Sequence, residues 1–192
     1  MEKALTRLLG KAPMVIGPGI KTGLNIRLAV QSQVGADIVA DAVAALESFR
    51  APIITIDMGT ATTIGVISEG RNYEGGMLLP GVNGSLEALS RRAAQLPAIS
   101  VQHPKTVIGK NTEDCMRSGI MYGTAAMVDG MLDRVEEELG YSTTVVATGG
   151  MAQFIVPLCR REIRLEKDLL LKGLNILYKK NAPDAGRRAP AF

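Results

Sequence analysis

The sequence has no tryptophan, one histidine, two cysteines and only 4% aromatic residues over its 192 positions. His103 precedes Pro104 in what reads as a loop, so Ser-His-Asp, Cys-His and zinc-histidine chemistry have almost no material here. Cys115 and Cys159 lie far apart and form no CxxC pair, which points to free thiols in a reducing compartment. No segment approaches the roughly 20 apolar residues of a membrane span. Met1 to Ala12 interleaves Lys3, Arg7 and Lys11 with Leu5, Leu8 and Leu9, an amphipathic helical pattern without the apolar block of a signal peptide. A cytoplasmic protein with no membrane partner is expected. The formal charge is +3, with Lys and Arg scattered among Asp and Glu, so no basic stripe marks a nucleic-acid partner. A catalytic role would fall to carboxylates, hydroxyls and backbone amides.

What is present is 46% apolar residues, enough to build a core. A short strand, Met14 to Ile16, is expected before a loop rich in glycine, and a helix from near Asp37 to Phe49, with Pro52 ending the pattern. Ile53 to Met58 and Thr62 to Ser68 are β-branched runs around a tight Gly59-Thr60 turn, which predicts a buried hairpin. Tyr73 to Gly81 follows as a third strand, then a helix over Asn83 to Leu96, capped by Asn83 or Ser85 and stopped by Pro97. The longest helix runs to about Leu139 from a cap at Asn111 or Thr112, and Gly119, Gly123, Ala126 and Gly130 recur along it as a packing or dimer face. A strand over Thr144 to Ala147 leads through Thr148-Gly149-Gly150 into a helix reaching Leu158. The last helix, near Asp168 to Lys180, aligns Leu170, Leu174, Leu177 and Tyr178 on one face. The expected architecture is a mixed α/β sheet flanked by helices.

Three stretches can carry chemistry. At Asp57-Met58-Gly59-Thr60-Ala61-Thr62-Thr63 a carboxylate ends an apolar strand, Gly59 lets backbone approach a phosphate and the threonine hydroxyls can donate to its oxygens. The same residues would equally make an ordinary hairpin turn. Thr148-Gly149-Gly150, after a buried strand, can admit a nucleotide's base or ribose against bare backbone, or serve backbone geometry alone. In Gly35-Ala36-Asp37 a carboxylate sits where a helix dipole favours its charge, either as a cap or as a group that orients a nucleophile. Gly109-Lys110-Asn111-Thr112 is not a P-loop, because position 104 is Pro104 and Asn111 separates the lysine from the threonine.

In order, Gly17-Pro18-Gly19-Ile20-Lys21-Thr22-Gly23-Leu24, Val34-Gly35-Ala36-Asp37, Asp57 to Thr63, Gly75-Gly76, Pro80-Gly81, Arg91-Arg92-Ala93-Ala94, Ile108 to Thr112 and Ala147 to Gly150 resemble type III pantothenate kinases. The resemblance implies a ribonuclease H-like fold of the actin and sugar kinase superfamily. It implies Asp37 as catalytic base, Gly35, Ala36, Asp37 and Ile38 as part of the pantothenate site, and Thr112 reaching pantothenate from the neighbouring subunit of a homodimer. Gly59 and Thr60 would contact ATP, Thr148, Gly149 and Gly150 would lie near its adenosine, and Asp57 would bind a monovalent cation, potassium or ammonium. A divalent metal would accompany ATP. Ile38 and Leu28 stand where the family often has Arg and Tyr. The family opens with an Asp-x-Gly-Asn-Thr turn that grips phosphates, and none precedes Met14, so the expected chain has its first half truncated. Residues 1–50 are then the remnant of that half with a connecting helix, 51–180 the second actin-like domain, and 181–192 a disordered tail. The implied function is ATP-dependent phosphorylation of pantothenate, and the alternative is a truncated, non-catalytic binding or regulatory protein of the same family.

Overall fold

Every apolar side chain of the run Ile53 to Met58 finds cover, and the computed structural model, which describes residues 2–93 and 96–182, places this strand inside a mixed sheet. Along the chain the elements are α1 (Glu2–Leu9), β1 (Asn25–Ile26), α2 (Ala36–Ser48), β2 (Ile53–Met58), β3 (Ala61–Ser68), β4 (Asn72–Pro80), α3 (Val82–Arg92), α4 (Thr112–Leu139), β5 (Thr144–Thr148), α5 (Ala152–Ile155), β6 (Arg164–Leu165) and α6 (Leu169–Asn181). Among the described residues the strands form a six-stranded sheet in the order β1-β4-β3-β2-β5-β6. β2, β3 and β4 are antiparallel neighbours, whereas β1 runs parallel to β4, β5 to β2 and β6 to β5.

Alternation along β2 divides the helices between the two faces. Ile54, Ile56 and Met58 point to one side, where Met121, Ala125, Val128 and Leu132 of α4 and Ala152 and Ile155 of α5 complete a core. Ile53 points to the other, with Ala42, Ala44 and Ala45 of α2 and Leu169 at the start of α6. The next two residues on that second face are Thr55 and Asp57, so β2 grows polar toward its carboxyl end beneath α2. Asn111 caps α4, its side chain accepting from the Asp114 N–H at 2.9 Å, and Gly140 closes the helix. Gly119, Gly123 and Ala126 are exposed along it.

Several elements differ from expectation. Met14 to Ile16 is not a strand; Ile16 and Ile20 pack on the cluster of Val39, Val43 and Leu177, and the sheet edge is supplied by Asn25 and Ile26 instead. α3 is capped by Gly81, with no side-chain cap bond from Asn83 or Ser85, and it ends at Arg92 rather than Leu96. α5 ends at Ile155, and a single 3-10 turn, Val156–Leu158, completes the predicted helix. On α6 the buried face is Leu169, Gly173 and Leu177, while Leu170, Leu174 and Tyr178 remain partly or largely exposed. The reason is α2: a side chain at position 173 would meet the backbone of Ala40, and only glycine allows the two helices to lie this close. Asn181 also belongs to α6; its Oδ1 accepts from the Lys21 N–H at 2.8 Å and its Nδ2 donates to the Lys21 carbonyl at 2.9 Å. The rest of the expected disordered tail, from residue 183, lies outside the described residues.

A Cβ built on Gly173 stands 2.0 Å from the Ala40 carbonyl oxygen, which belongs to backbone and cannot swing away. Gly173→Ala should therefore destabilise the chain by about 1–3 kcal/mol, against the roughly 1 kcal/mol that helix propensity alone would return. Urea unfolding of the variant checks this, and an unchanged or higher midpoint would show that the α2–α6 contact is looser than described.

Candidate active site

Asp57 sits one residue before the end of β2, and pairing fixes its neighbours: Thr63 opposite it on β3 and Thr148 beside it on β5. Directly paired residues share a face, so Thr63, Asp57 and Thr148 form a row across three strands at their shared end. The turns that follow β2 and β5 consequently meet. Gly59 N–H donates to the Ala61 carbonyl at 3.0 Å, closing the hairpin turn, and Met151 N–H donates to the Met58 carbonyl at 3.1 Å, tying the two turns together. Gly149 has φ of +91°, and a Cβ there would lie 2.4 Å from Asp57 Oδ1 and 2.6 Å from the Met58 nitrogen. Glycine is needed at 149 both for that backbone conformation and for the approach to the carboxylate.

Asp57 borders two cavities. One, of about 300 Å³, is lined by Thr148, Gly149, Gly150, Gln153, Leu165, Lys167, Leu170 and Leu171. It combines bare backbone with an apolar wall and one basic side chain. The other, of about 180 Å³, lies under α2 and is lined by Leu28, Gln33, Ile38, Asp41, Thr55, Thr63 and Tyr73 among others. Asp57 is the one carboxylate that both share.

The helix α2 carries the other acidic groups. Asp37 is exposed in its first turn, its Oδ1 accepting from the Ile38 N–H at 2.9 Å, with Gly35 as the N-cap. Four residues on, Asp41 faces the sheet and is 3% exposed, and its Oδ1 has no hydrogen-bond partner. Burial first, then the Asp57 and Asp37 charges, push the Asp41 carboxyl up to about 7. Burial and then Asp37 also raise Asp57, and the same two causes raise the Tyr73 hydroxyl.

The fold thus brings Asp57, Gly59, Thr60, Thr148, Gly149 and Gly150 to one end of the sheet, with the Asp37 turn near enough for its charge to act on Asp57. Ile38 and Leu28 face the smaller cavity together, and Ala36 faces a separate groove beside Gly17 to Ile20. Thr112 is exposed in the first turn of α4 and lines neither cavity that Asp57 borders. Sequence reading missed Asp41, Tyr73 and Lys167. Asp41 had a usable signal, because its spacing of four from Asp37 puts both carboxylates on one side of a helix. Tyr73 and Lys167 had none.

The fold and its strand-end site define an α/β protein with two clefts that share the Asp57 carboxylate. The sequence profile of type III pantothenate kinase matches residues 1–134. Proteins named type III pantothenate kinase from Moorella thermoacetica and Halalkalibacterium halodurans are each 44% identical over 181 residues, 94% of this chain and 71% of theirs. The chain belongs to the type III pantothenate kinase family. A conserved Baf family protein of known structure from Campylobacter jejuni, 21% identical, shares the fold with a TM-score of 0.56 over 83% of this chain and 70% of that one. Among the described residues no helix is long and apolar enough to cross a membrane.

An acid that binds its proton more tightly when folded stabilises the fold at low pH, and that contribution is lost as pH rises from the unfolded value toward the folded one. For Asp41 this window runs from 3.8 to about 7. In buffer without inorganic cations the thermal midpoint should therefore fall between about pH 5 and about pH 8. Asp41→Asn should reduce that fall without abolishing it, since Asp57 is shifted in the same direction. An undiminished fall in the variant would remove Asp41 as its source.

Proposed function

We propose that this chain phosphorylates the hydroxyl of pantothenate from ATP, giving 4'-phosphopantothenate in the first step of coenzyme A synthesis. The observation that carries the reading is the 44% identity, across 94% of the chain, to proteins named for this reaction. The larger of the two cavities that Asp57 borders, with bare backbone at Gly149 and Gly150 and the basic Lys167, suits the nucleotide. The acceptor oxygen attacks the γ-phosphorus, the bond from that phosphorus to the β–γ bridging oxygen breaks, and the hydroxyl proton passes to Asp37. An exposed carboxylate in the first turn of α2 is accessible for that role, and phosphoryl transfer asks for orientation more than for early proton removal.

Gly59 and Thr60 would bind ATP at the β2 turn, and Thr148, Gly149 and Gly150 would lie against its adenosine. Gly35, Ala36 and Ile38 would hold pantothenate with Asp37. Thr112 would contribute from a second copy, so the working unit is a homodimer in the cytoplasm. Asp57 suits a monovalent cation: it is half-buried, and the neighbouring charge acting on it is the acidic Asp37. Potassium or ammonium held there would supply positive charge that offsets the charge of the phosphoryl group in transfer. The divalent ion would arrive on ATP, since no group of three or more His, Cys, Asp or Glu gathers among the described residues to hold a metal.

Pantothenate-dependent ADP formation by the folded chain in potassium buffer tests the reading. Asp37→Asn should lower kcat by about 10²-fold or more. Equal turnover by the variant would remove Asp37 from the chemistry, and a folded wild-type chain without pantothenate-dependent ADP release would overturn the kinase reading.

A further inference from the structure

The smaller cavity contains a buried carboxylate that none of the assigned roles uses. Asp41 lines it from α2, is 3% exposed, and has an Oδ1 sealed from solvent with no donor in reach. A buried carboxylate is ordinarily paired, hydrogen-bonded or metal-bound, because leaving it alone is costly. Here Asp57 lines the same space, and no Lys, Arg or His is among the lining residues. The other polar side chains among the lining residues are those of Thr55, Thr63, Tyr73 and Gln33. Two carboxylates and three hydroxyl-bearing side chains, with no basic side chain and an otherwise mainly apolar lining, are complementary to a hard cation.

The composition of the cavity also argues against magnesium, which demands a near-ideal octahedron and gives up its waters reluctantly, whereas larger cations accept an irregular set of oxygen ligands. Two acids on separate elements, α2 and β2, with Thr55, Thr63 and Tyr73 among the same lining residues, fit the second description. We propose that Asp41 is a ligand of the cation read at Asp57, the two carboxylates closing one site for potassium or ammonium beneath the first turns of α2. The proposal rests on the reading of Asp57 as a cation ligand. It gives α2 two separate tasks, with Asp37 facing the acceptor and Asp41 facing the ion.

Thermal unfolding of the full chain tests this without reference to turnover, with potassium, ammonium or magnesium chloride titrated against choline chloride at constant ionic strength near neutral pH. Potassium and ammonium should raise the midpoint of the wild type. In Asp41→Asn and in Asp57→Asn the half-saturating concentration should rise about tenfold or more. In choline, Asp41→Asn should be at least as stable as the wild type, which separates a lost ligand from a damaged fold. Asp41→Ser serves the same purpose should the asparagine variant not fold. A wild-type potassium response in the Asp41 variants, together with its loss in Asp57→Asn, would overturn the proposal and leave the Asp57 reading standing. Loss in the Asp41 variants with retention in Asp57→Asn would overturn the Asp57 reading and with it the shared site, and a wild-type response in every variant would do the same. Stabilisation by magnesium alone, or by no cation, would overturn both.

Discussion

The arrangement depends on how closely α2 lies against the sheet and α6. A row of alanines at 40, 42, 44 and 45 gives the helix a thin buried surface, and Gly173 lets α6 press its backbone onto Ala40. Small residues exchange side-chain volume for proximity, and proximity is what brings the Asp41 carboxylate over the polar end of β2. A bulkier α2 would stand off, and the cavity between Asp41 and Asp57 would open to water. Bulk water would then screen the mutual influence of these carboxylates.

The site is therefore a consequence of two superimposed periodicities. On β2 every second residue faces α2, so Ile53 anchors the core while Thr55 and Asp57 carry polarity outward. On α2 every fourth residue returns to nearly the same side, so Asp37 and Asp41 present two carboxylates one turn apart. Placed in contact, these patterns concentrate negative charge where the sheet ends. Burial first, and then this concentration of charge, disfavours the ionised carboxyls, as the upward shifts of Asp41 and Asp57 express, and taking up a proton relieves both. Local destabilisation of this kind is common where a protein binds charged ligands.

Much of the framework was legible beforehand. The β2–β3 hairpin, α2 and α4 follow from β-branched runs, helical spacing and the Asn111 cap, each decided within a few residues of chain. The ordered motifs pointed to the family that the relatives bear out. The failures share a cause. Ile16 and Ile20 have the composition of a strand, but a strand needs a partner edge, and these residues were drawn onto α2 and α6 instead. On α6 two apolar faces were available, and the leucines at 170 and 174 formed the more regular one.

The sequence by itself determined the β2–β3 hairpin, α2 and α4, the glycine turns after β2 and β5, and the family, because short-range spacing and residue type carry that information. Only the tertiary structure decided that β5 lies beside β2, setting Gly149 against Asp57, and that Gly173 turns α6 toward α2. It alone placed Asp41 without a partner beside Asp57. Periodicity states which residues share a face, while packing chooses the face that is buried and what it meets there.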